Sequence, residues 1–106
     1  MTFKFKSILT VTTLLAVARI ACAAESAELW TKNCASCHAK DGTGNTLMGK
    51  KSGVDDYTDA KFQAKFTDAE ATAAIKTGKG KMKGFAEKLT DDEIKALVAY
   101  VRAFKK

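Results

Sequence analysis

Uncharged residues fill the stretch from Ile8 to Ala18, and beyond it apolar positions recur at helical intervals. Over Ser26–Cys37, Trp30, Cys34 and the pair Cys37-His38 stand at i, i+4 and i+7/i+8, which puts them on one face of a helix. Asp41-Gly42 and Gly44-Asn45 end that helix, and a loop holding Gly42, Gly44, Gly49 and Gly53 follows. Phe62 and Phe66 form an i, i+4 pair that predicts a short helix over Asp59–Phe66. Thr67-Asp68-Ala69-Glu70 has the form of a capping box, a hydroxyl at the cap and a carboxylate three positions on. It predicts a helix running through Ile75 and stopping at Gly78. Residues 78–89 make a second loop, and Thr90-Asp91-Asp92-Glu93 repeats the capping form. The helix it opens carries Ile94, Leu97, Val98, Val101 and Phe104 at the helical period. There is no proline, no internal repeat and little β-branched alternation, so the chain reads as one all-α domain of about four helices joined by glycine loops.

The first apolar run belongs to a different kind of segment. Lys4 and Lys6 precede it, and Ala21-Cys22-Ala23 follows it. A basic start, a short apolar run and a small-x-small site are the layout of a secretory signal peptide. The expectation is a signal over residues 1–23 and a mature domain over 24–106, exported to the periplasm. Two rival readings are an uncleaved anchor over residues 7–24 and lipidation at Cys22; Arg19 stands where a lipobox carries an aliphatic residue. The full chain has a formal net charge of +6, but residues 24–106 hold 15 basic and 12 acidic residues. That mixed, mildly basic balance argues against nucleic acid as a partner.

Only Cys34 and Cys37 remain in the mature domain, too close together for a disulfide that would restrain the unfolded chain. Their use is local chemistry. In Cys34-Ala35-Ser36-Cys37-His38, two thiols and an imidazole sit within one helical turn. That is the spacing at which each thiol adds to one haem vinyl group while the imidazole meets the iron. A redox Cys-x-x-Cys would want a βαβ context, and a structural zinc site would want four ligands. One covalently attached haem c therefore explains the string best, and it gives a domain of about 80 residues the apolar filling its own core would lack.

His38 is the sole histidine, so bis-histidine ligation within one molecule is excluded. A methionine, a lysine or an open sixth position remain. Met48 leaves the proximal helix and stays on its side, whereas Met82 lies 44 residues beyond His38 among Gly78, Gly80 and Gly84. Met82 is the favoured ligand, giving a metal pair of His38 and Met82 and a cofactor-binding set of Cys34, Cys37, His38 and Met82. Methionine sulfur favours ferrous iron and raises the potential, as suits an electron carrier. A peroxidase would need distal acid, base and charge-stabilising groups, and the mature domain has no second histidine and only Arg102 as arginine. No catalytic residue is assigned, and the chain reads as a non-enzyme. The alternative is a haem-based ligand-binding or sensor module with a labile or open sixth position.

These motifs, with Gly78-Lys79-Gly80-Lys81-Met82 and Leu89-Thr90-Asp91-Asp92-Glu93-Ile94 leading to Tyr100-Val101, resemble those of the class I cytochromes c, the small soluble bacterial and photosynthetic carriers. The resemblance covers residues 25–106. It implies the cytochrome c fold, with terminal helices crossing and Trp30 packed on Leu97 and Tyr100. It also implies electron transport in a respiratory or photosynthetic chain. Three departures stand out. Ser26 lies nearest the place where the family often has a small glycine. The proline whose carbonyl accepts from the axial histidine is missing, so a carbonyl between Gly44 and Gly53 is expected to replace it. Lys83 follows Met82 where a proline is usual. Lys79, Lys81 and Lys83, with Lys50 and Lys51, would steer an acidic redox partner such as a membrane oxidase, reductase or dehydrogenase. The expected carrier is a monomer.

Overall fold

The structure is a computed structural model that describes residues 24–106; the predicted signal segment lies outside the described residues. The chain is helical from residue 24 to 33 (α1), then over Ala35–His38 (α2), Leu47–Ser52 (α3), Ala60–Gln63 (α4), Asp68–Thr77 (α5) and Asp91–Ala103 (α6). Among the described residues the only extended pairing is an isolated antiparallel bridge between Lys79 and Met82. No helix among them is long and apolar enough to cross a membrane.

Two of the starts follow the sequence reading closely. The Thr67 hydroxyl accepts from the Glu70 N–H at 3.0 Å while the Glu70 carboxylate accepts from the Thr67 N–H at 3.0 Å. Thr90 and Glu93 make the same reciprocal pair at 3.1 and 2.9 Å. Each box satisfies two main-chain donors that a helix start otherwise leaves to water.

Two expectations need correction. The first helix does not run unbroken to Cys37: at Cys34 the backbone takes φ −122° and a new short turn begins. The glycine loop also contains a helix, α3, in which Thr46 is the N-cap and accepts from the Gly49 N–H at 2.8 Å. Gly53 closes α3 in the left-handed region at φ 68°, a conformation that glycine adopts without steric cost.

The core forms where α1 meets α6. Trp30, Leu89, Ile94, Leu97 and Val101 are buried together, with Tyr57, Phe66, Ile75, Phe85, Tyr100 and Phe104 packed around them. Ile94 and Leu97 are fully enclosed, and burying each such side chain contributes roughly 2 kcal/mol. The Trp30 ring lies 5.6 Å from Tyr100 and 5.0 Å from Phe104. This is the Trp30–Leu97–Tyr100 packing that the family resemblance implies, and Ser26 is buried on the same helix.

Candidate haem site

Cys34, Cys37 and His38 come together because one turn of chain holds them. The Cys34 carbonyl accepts from the Cys37 N–H at 3.3 Å and from the His38 N–H at 3.0 Å. Both thiols are free and half-buried. Burial pushes the Cys34 thiol up to about 11, so it stays protonated at neutral pH, unlike the lowered thiols of redox Cys-x-x-Cys sites. Among the described residues no group of three or more His, Cys, Asp or Glu is placed together.

The segment after His38 is tied back onto this turn. The His38 carbonyl accepts from the Gly44 N–H at 2.9 Å, and the Thr46 hydroxyl donates to the Cys37 carbonyl at 2.9 Å. A Cβ on Gly49 would collide with the carbonyl oxygens of Cys37 and Gly44, so α3 can lie this close only with glycine there. Ala39 has φ 66° and ψ 160°, the one non-glycine residue at positive φ among those described. Its carbonyl accepts from the Trp30 indole N–H at 2.9 Å and from the Gly42 N–H at 3.3 Å.

The His38 imidazole is half-buried, and burial lowers its pKa, which favours the neutral ring whose lone pair a metal needs. Its Nδ1 is buried with no hydrogen-bond partner among the described residues. The carbonyl expected between Gly44 and Gly53 is therefore not supplied. Within this stretch the Gly44 carbonyl accepts from Thr46, that of Thr46 from Lys50 and that of Gly49 from Val54. Rings surround the imidazole instead. Tyr57 lies 5.0 Å away, nearly parallel at 20°, and Trp30 lies 5.7 Å away, tilted by 39°. Tyr57 is itself pushed up, by burial first and then by the nearness of Cys34 and Asp55.

Met82 sits apart from this cluster, in the loop after α5. Its N–H donates to the Lys79 carbonyl at 3.0 Å and its carbonyl accepts from the Lys79 N–H at 3.1 Å. This makes a tight hairpin with Gly80 at φ 58° in its first central position. A Cβ on Gly78 would lie 2.6 Å from the Met82 carbonyl oxygen, and one on Gly84 would lie 2.6 Å from the Lys76 carbonyl oxygen. Gly78 and Gly84 thus let the loop pack closely on itself and on the end of α5, while Gly80 makes the turn at its tip. Met48, the competing sulfur, is 52% exposed on α3.

Two free thiols, a neutral imidazole with an unpartnered buried nitrogen, and a wall of aromatic rings suit a haem. Residues 21–101 match the family model described as cytochrome c oxidase, cbb3-type, subunit III. The chain belongs to the c-type cytochromes. It is 38% identical over 77 residues to cytochrome c6 of Bryopsis maxima, covering 71% of this chain and 83% of that protein. Cytochrome c6 of Parathermosynechococcus lividus is 35% identical over 78 residues, covering 74% of this chain and 85% of its own. The cbb3-type oxidase subunit FixP of Azorhizobium caulinodans is 34% identical over 80 residues, but those make up only 26% of its length. Among solved structures, the KustC0563 c-type cytochrome aligns with a TM-score of 0.72 at 40% identity, over 76% of this chain and 98% of that one. The cytochrome is thus a single-haem electron-transfer protein with the cytochrome c fold.

The sequence reading missed Tyr57, Thr46 and Gln63. Tyr57 falls in Asp55-Asp56-Tyr57-Thr58-Asp59, a turn-forming string with no apolar period to mark a buried ring. Gln63 is 4% exposed, and its amide donates to the carbonyls of Tyr57 and Val101, both at 2.8 Å. The contacts that satisfy the buried amide from across the fold, to Val101 and from Arg102, lie 38 and 39 residues away in sequence.

Proposed function

We propose that Cys34 and Cys37 form the two thioether links, that His38 and Met82 are the axial ligands, and that the cytochrome works as a non-enzymatic carrier of single electrons outside the cytoplasmic membrane. The observation that carries this reading is the buried, unpartnered Nδ1 of His38, on the same turn as two free thiols. A bound haem supplies the ferric/ferrous couple. The chain's own residues do the rest. The two thiols fix the macrocycle, His38 offers a neutral nitrogen, and Met82 offers a soft sulfur on a loop stiffened by its own hairpin. The aromatic rings of Trp30 and Tyr57 flank His38 and would shield the group from water. With His38 and Met82 both holding the iron, the chain would leave it no open position for a substrate.

Met82→Ala should lower the reduction potential and let the ferrous protein bind carbon monoxide. A ferric spectrum that never shows the weak long-wavelength sulfur–iron band, and that Met82→Ala leaves unchanged, would favour the sensor reading instead. Haem content is read by the mass of the mature chain, and the same spectrum reports whether residues 1–23 have been removed.

For partners, the reading is an acidic redox protein with an apolar contact zone. Leu47 and Met48, 82% and 52% exposed, stand beside Lys50 and Lys51 on α3, directly after the haem-binding turn. Replacing Lys50 and Lys51 by Glu should slow electron transfer to an anionic partner and reverse its salt dependence. Rates that ignore ionic strength in both proteins would end the steering proposal.

A further inference from the structure

An axial imidazole needs something to set its rotation about the Cβ–Cγ bond, and a hydrogen bond from Nδ1 is the usual means. Here Nδ1 is buried and has no acceptor among the described residues. The group that meets the ring is Tyr57, stacked at 5.0 Å and 20°. Trp30 adds a second ring 5.7 Å from His38 and 6.4 Å from Tyr57.

Tyr57 is fixed from outside the stack. Its N–H donates to the Gly42 carbonyl at 2.8 Å, and its carbonyl accepts from the Gln63 amide at 2.8 Å. The same amide reaches Val101 of α6, and the Arg102 guanidinium donates to the Gln63 side-chain oxygen at 2.9 Å. Phe62 then stacks on Tyr57 at 5.7 Å and 29°. The Tyr57 main chain is thus held on both sides by bonds that do not depend on its side chain, and Phe62 backs the ring. Offset-parallel rings at such separations resist rotation of one against the other.

We propose that Tyr57 is the positioning residue for His38, fixing the plane of the axial imidazole by stacking where a carbonyl acceptor is absent. The proposal rests on the reading of His38 as an iron ligand. It assigns the task to the ring of Tyr57 and none of it to the hydroxyl.

The plane of an axial imidazole governs the spread and order of the haem-methyl proton shifts in a low-spin ferric protein, so the orientation can be read without any assay of electron transfer. The test uses the haem-loaded chain as wild type, Tyr57→Phe and Tyr57→Leu. Tyr57→Phe should keep the wild-type methyl pattern, and Tyr57→Leu should change the order or compress the spread. A wild-type pattern in Tyr57→Leu, or an equal change in both variants, overturns the proposal. Should the leucine variant not fold, wild type labelled with ¹⁵N-histidine decides. In the ferrous state the Nδ1–H proton should lack the downfield shift of a hydrogen-bonded imidazole, and a strongly downfield proton overturns the proposal. A ferrous spectrum with no iron-bound imidazole overturns both the proposal and the ligand assignment, and so separates the two failures.

Discussion

Ala39 carries backbone strain next to the haem-binding turn. A non-glycine residue at φ 66°, ψ 160° is in a region reserved almost wholly for glycine, and holding it there costs about 1–3 kcal/mol. The surroundings compel it: its N–H bonds Ala35, and its carbonyl is shared by Trp30 and Gly42. Turning the chain sharply after His38 is what brings Gly44 and Thr46 back onto the ligand turn. Ala39→Gly should therefore stabilise the protein by about 1 kcal/mol, part of the relief being offset by the greater freedom of glycine in the unfolded chain. Urea unfolding of the haem-loaded protein measures it, and a lower midpoint would show that the backbone is not strained there.

At the scale of elements, α5 and α6 were legible because their starts and periods are local signals. Thr67-x-x-Glu70 and Thr90-x-x-Glu93 name both partners of each bond within four residues. The haem-binding turn was legible for the same reason. α3 was not, because Gly49 and Gly53 read as loop punctuation. Gly49 is in fact needed inside the helix, where the Cys37 carbonyl leaves no room for a side chain. No carbonyl of that segment reaches His38 Nδ1 among the described residues. Tyr57, Gln63 and Arg102 depend on contacts across the fold, which no local pattern announces.

The first capping box also predicts a pH response. Hydrogen bonds from the Thr67 main chain and then its hydroxyl hold the Glu70 carboxyl below its ordinary value of 4.5. A depressed carboxyl adds stability above the unfolded value and loses it as pH falls through the folded one. The stability difference between wild type and Glu70→Ala should be steady near neutrality and shrink below pH 4.5. Thermal midpoints of the pair between acid and neutral pH show this; a gap that widens in acid would contradict it.

At the scale of the molecule, Arg102 ties the last helix to the middle of the chain. Its guanidinium donates to the Gln63 carbonyl at 2.6 Å, the Gln63 side chain at 2.9 Å, the Phe66 carbonyl at 2.7 Å and Asp68 at 2.8 Å. It also lies 4.2 Å over the Phe66 ring. One planar fork thus serves the end of α4, the start of α5 and the aromatic layer between them. A lysine has the charge without the fork. Arg102→Lys should cost about 2 kcal/mol in urea unfolding, because the two carbonyls lose their donors. Asp68→Asn should cost less than about 1 kcal/mol, its carboxylate being mostly exposed.

The hairpin at Lys79–Met82 has a consequence for engineering. It closes on its own main chain and returns to α5 through the bonds from Phe85 to Ile75 and from Ala86 to Lys76. Nothing in that closure depends on which side chain occupies position 82. The loop is a replaceable cartridge: exchanging Met82 for histidine or leucine changes the side chain presented there while the main-chain clasp stays shut. One scaffold then carries a series of variants that differ at a single side chain.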